Sequence, residues 1–147
     1  MMAKRWAGLL AVLLLLTACR EVRIQALQHG TTTVLGSGKE LLVVRDIATL
    51  ERLGIKAPVR FRNEFAVVLL LGPHTQTGYR QIQEYLSANA DRARVVLFEE
   101  APLDGGEPSR AYRTYSLWIV PNSAYRRGYH VEVVTPSNQP VIEGTLP

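Results

Sequence analysis

Three histidines, one cysteine and two adjacent glutamates are the side chains of this chain best suited to chemistry. Their spacing argues against most of it. His29, His74 and His130 lie far apart and match no metal-ligand spacing. Glu99 and Glu100 are neighbours, so on a strand they point to opposite faces and cannot readily act as paired carboxylates. Gly36-Ser37-Gly38 precedes an apolar strand rather than a helix, and so lacks the helix amides that cradle phosphate. No G-x-S-x-G elbow occurs. A Ser/His/Asp triad is defined by geometry and stays open at this stage. These residues read as those of a non-enzyme with no metal or cofactor.

Cys19 is different, because the elements before it give it a task. Lys4 and Arg5 form a basic start, Trp6 to Leu16 an apolar run, and Thr17-Ala18 a small-residue cleavage point. The run falls short of the roughly 20 apolar residues that span a bilayer, so it reads as a removable leader over residues 1–18. An intrachain disulfide is excluded, since the chain has one cysteine. Leu16-Thr17-Ala18-Cys19 resembles the lipobox of bacterial lipoproteins. That resemblance implies a diacylglyceryl group on the Cys19 thiol, a further acyl group, and Cys19 as the first mature residue. Each buried CH₂ contributes about 0.8 kcal/mol, and stable anchoring takes more than one chain, which this modification supplies. Arg20 follows, not the aspartate that retains such proteins in the inner membrane, so the resemblance implies an outer-membrane anchor in a double-membraned cell.

Removing 18 of 147 residues leaves 129, one domain able to bury a core without disulfides. Lys4 and Arg5 leave with the leader, which lowers the formal charge from +4 to +2. The remaining arginines are scattered along the sequence, without the basic stripe and interleaved aromatics of a nucleic-acid binder. Residues 20–30 alternate as a tether or edge strand, and 31–38 turn. Leu41 to Val44 form a short buried strand. Asp46 as N-cap, Ile47, Leu50 and Leu53 at helical spacing, and Gly54 as C-terminal cap predict one short helix over 47–53. Phe65 to Leu71 is apolar throughout, as in a central strand covered on both faces. Further strands are expected at 94–99, 112–120, 129–134 and 140–144. The fold class is mostly β: a single antiparallel sandwich or barrel-like domain with one short helix, its core built from Val67, Leu69, Val96, Phe98, Leu117, Ile119 and Val133. In residues 79–90 the periodicity of Tyr79, Ile82, Tyr85 and Leu86 slightly favours helix. Read as a strand, Tyr79, Gln81, Gln83 and Tyr85 share a side.

FAVVLLLGPHTQTGYR (65–80) and YRTYSLWIVPNS (112–123), with the short helix ahead of them, resemble the C-terminal domain of PrcB. PrcB is a lipoprotein subunit of a bacterial surface protease complex, and the likeness spans about residues 41–134. Thr77 stands where the family's loop has a second glycine, and Thr114-Tyr115 where it has Pro-Tyr. The resemblance implies a strand at 79–87. It also implies a lipid-anchored accessory subunit that binds or stabilises a protein partner, an exported protease first among candidates. His74, Thr75, Gln76, Thr77, Gly78 and Tyr79 become the candidate partner-binding loop, expected to connect two antiparallel strands tightly around Gly78. HTQTGY is also similar to the Thr-Thr-Gly-Tyr-like loop of chagasin-type protease inhibitors, which gives an alternative function. A purely structural envelope lipoprotein is a third. The domains read as leader 1–18, lipidated tether 19–40 and β domain 41–147.

Overall fold

A computed structural model describes residues 24–147; the leader, Cys19 and the start of the tether lie outside the described residues. Eight strands, β1 (Gln25–Thr32), β2 (Glu40–Val44), β3 (Glu64–Gln76), β4 (Arg80–Ala88), β5 (Arg92–Glu100), β6 (Pro108–Pro121), β7 (His130–Val134) and β8 (Pro140–Thr145), form two four-stranded sheets. The orders are β1-β6-β3-β2 and β4-β5-β7-β8. The chain is a β sandwich, with neither sheet closed into a barrel. The first sheet is antiparallel throughout, whereas β5 and β7 pair in parallel, so the second is mixed.

β3 sits inside the first sheet, paired with β2 and β6, and its apolar run is buried on both faces. Phe65, Val67, Leu69 and Leu71 meet Val95, Leu97, Val131 and Val133 of the second sheet, with Trp118 and Val120 of β6. Ala66, Val68 and Leu70 point the other way, onto α1 (Ile47–Arg52) and the segment after it. Asp46 caps that helix by accepting from the Thr49 amide at 2.8 Å, and Leu50 is its fully buried contact. The helix ends through Gly54, in left-handed conformation at φ +68°. The sandwich therefore carries a second small core on the outside of its first sheet.

Five of the seven expected core residues are buried: Val67, Leu69 and Val133 between the sheets, Leu117 and Ile119 under the helix. Val96 and Phe98 are not. The inward face of β5 is Ala93, Val95 and Leu97, and Val96 and Phe98 are half-buried on the outer face. β5 is apolar on both faces in its middle, so its sequence carries no alternation to set the phase. β2 is an edge strand, and of its apolar residues only Val44 is fully buried.

Candidate functional site

The 73–79 segment does not fold as a hairpin connection. β3 continues to Gln76, pairing with β6 at His74–Tyr112 and Gln76–Pro108, and the chain then crosses to the other sheet as β4. Only Thr77, Gly78 and Tyr79 make the connection. The Thr77 amide donates to the Glu107 carbonyl at 2.8 Å, and the Glu107 amide returns a bond to Thr77 Oγ1 at 3.0 Å. Gly78 has φ +98°, and a Cβ there would lie 2.8 Å from Pro102 Cβ. Opposite it, a Cβ on Gly106 would lie 2.2 Å from the Thr77 carbonyl oxygen. Two glycines thus let the 77–79 turn and the 102–107 loop lie directly against each other.

His74 is partly buried. Its ring stacks on Tyr79 at 3.8 Å and 7°, and its Nε2, with no other partner, lies 2.8 Å from Glu99 Oε1. The Tyr79 amide donates to the Tyr112 hydroxyl at 3.3 Å, and that hydroxyl donates to the Gln76 carbonyl at 2.7 Å. Thr75, Gln76, Thr77 and Gly78 form an exposed rim, and Leu103 in the adjoining loop is fully exposed.

From Glu99 a polar seam runs inward between the sheets. Thr114 Oγ1 donates to Glu99 Oε2; Gln81 Nε2 donates to Thr114 Oγ1 at 3.1 Å and to the Leu69 carbonyl at 3.4 Å. Ser116 Oγ donates to Gln81 Oε1, and His29 Nδ1 lies 2.9 Å from Ser116 Oγ. Gln81, Thr114 and Ser116 are buried. The directions agree from Glu99 inward with His29 carrying its proton on Nδ1, whereas His74 Nε2, 2.8 Å from Glu99 Oε1, is buried without a hydrogen bond. Partial burial lowers the His29 pKa below its ordinary value. Ser116 gives its proton to an amide oxygen, not to His29, so the two are not arranged as nucleophile and base. Among the described residues no three His, Cys, Asp or Glu side chains converge as a metal site.

The structure thus brings His74 and Tyr79 together, places Thr75 to Gly78 at the surface, and adds Glu99, Gln81, Thr114, Ser116 and His29 behind them. The added residues had one trace in the sequence: Gln81 and Gln83 share a strand face, which here points inward, with Gln83 Oε1 accepting from Trp118 Nε1 at 2.7 Å. Cys19 lies outside the described residues. Compared with known proteins, the chain matches no family model, and no curated protein or solved structure is significantly similar to it.

Proposed function

We propose that this is a lipid-anchored, non-catalytic envelope protein that binds and stabilises a protein partner through the Thr75–Gly78 rim. An exported protease is the first candidate partner. The observation that carries the reading is a surface feature built rigidly: the rim is exposed, yet its backbone is pinned to the 102–107 loop and its root is held by the His74–Tyr79 stack. A preordered loop loses little conformational entropy on binding, which suits recognition of a protein surface. Leu103 beside it offers the apolar anchor that such contacts use. The lipobox-like ending at Cys19 and the likeness to PrcB support the anchor and the class of partner.

The test is affinity purification of the full chain from detergent-solubilised envelope, wild type beside Gln76→Arg and Leu103→Asp. Both sites are exposed, so both variants should melt like wild type while losing an exported protease that wild type retains. Retention of the same protein by both variants would overturn the assignment of the rim. Inhibition of a papain-like enzyme by the purified domain would replace the accessory role with the inhibitory one.

A further inference from the structure

Arginines scattered through the sequence collect in the fold at one end of the sandwich. β1, β3, β5 and β7 begin there, and β2, β4, β6 and β8 end there, as the pairings Gln25–Ile119, Glu64–Pro121, Ala88–Ala93 and His130–Thr145 require. Arg45, Arg60, Arg62, Arg92, Arg126 and Arg127 are all exposed at this end. The carboxylates among them are fewer: Asp46 caps α1, Glu64 accepts from Arg60 Nη2 at 2.8 Å, Asp91 is exposed, and Glu143 lies 3.8 Å from His130. Arg45 is held in place, its guanidinium 4.5 Å over the Tyr125 ring and 5.1 Å over Phe65. Beside it an open cleft of about 430 Å³ is lined by Arg60, Arg62, Asn63, Glu64, Asn122 and Ser123, with Pro121 at its back. The far end carries Glu99, Glu100, Asp104 and Glu107 around the rim, offset there by Arg80 and Arg110.

The same basic end is where the described chain starts. Ile24 precedes β1, and the five steps back to Cys19 span at most about 18 Å of extended chain. A lipid on Cys19 would hold these arginines against the bilayer. Exposed charges act only within a Debye length, about 8–10 Å at ordinary ionic strength, so such tethering is what makes a dispersed arginine cluster effective. Resting on the anchor proposed above, we infer that the Arg45/Arg62/Arg126/Arg127 end docks on the anionic phospholipid surface beneath it. The docked domain stands upright. β3 is 13 residues long, so the Thr75–Gly78 rim is carried roughly 40 Å away from the membrane, facing the space where a partner arrives.

The experiment uses the full lipidated chain reconstituted into vesicles of phosphatidylcholine, with and without phosphatidylglycerol. A fluorophore is placed on Ser123→Cys at the basic end or on Asp104→Cys at the far end, and a nitroxide on the lipid headgroup quenches it on approach. The Ser123 label should be quenched in the anionic vesicles and released by salt, and the Asp104 label should stay bright in both. Each arginine near an anionic surface is worth roughly a fivefold change in the docked ratio, so Arg62→Gln, Arg126→Gln and Arg127→Gln together should reduce it about a hundredfold. Equal quenching at both ends, or a Ser123 signal indifferent to phosphatidylglycerol and to the triple variant, would overturn the docking while leaving the anchor intact. A chain that floats with neither vesicle would overturn the anchor, and the docking with it.

Discussion

A side chain at position 78 meets two independent obstacles, a left-handed backbone and the ring of Pro102. The first alone costs about 1–2 kcal/mol. Gly78→Val should therefore lower stability by about 2 kcal/mol or more in denaturant unfolding, a large share of the roughly 5–15 kcal/mol a domain holds. His74 belongs to the same wall. Removing its ring unstacks Tyr79 and leaves Glu99 half-partnered, so His74→Ala should destabilise by about 1–3 kcal/mol, whereas Gln76→Ala on the exposed rim should be neutral. His29 adds a pH dependence with a definite sign. Its pKa is lower folded than unfolded, so between the two values the unfolded chain binds more protons. The stability it contributes is complete above about pH 6.5 and is lost as pH falls through the folded value. Melting temperatures measured from about pH 7 down to 5 should fall, and His29→Gln should flatten part of that slope.

Individual elements differ in how plainly the sequence announced them. α1 has three agreeing local signals, the Asp46 cap, the Leu50 and Leu53 spacing and Gly54, and forms where they place it. β3 is read correctly because seven uninterrupted apolar residues leave a strand no solvent face. β4 shows how a strand can imitate a helix. A bulge between Gln83 and Tyr85 shifts Tyr85 to the outer face, 60% exposed, while Leu86 turns back inward, and the pattern of two is lost halfway along. β5 fails differently, since apolar residues on both faces hide which one is inside. That phase is checkable: Leu97→Ala should cost about 2–5 kcal/mol, and Val96→Ala much less. The seam was the least legible feature. Ser, Thr and Gln look like surface residues one at a time, and their partners come from β1, β4, β5 and β6, which only the packed sheets bring together.

For the molecule as a whole, the seam and the inter-sheet core join the two sheets into one cooperative unit. Unfolding followed by Trp118 fluorescence and by far-UV circular dichroism should give coincident curves dominated by loss of strand signal. The first sheet also dictates an order of events. β1 is completed only by β6, where Ser116 opposite His29 lies 87 positions further along the chain, so its partner emerges last but for two strands. Distant pairings close slowly, and until this one closes, the flank of β6 is an open template for any other strand. If Cys19 carries the proposed lipid, β1 would wait, already tethered, for the rest of the chain to arrive. Tethering shortens that wait, because a strand fixed beside the forming sheet searches a smaller volume than a free one. Maturation and folding would then be coupled in time: refolding of the lipidated chain on vesicles should leave less aggregate than refolding of Cys19→Ser in solution.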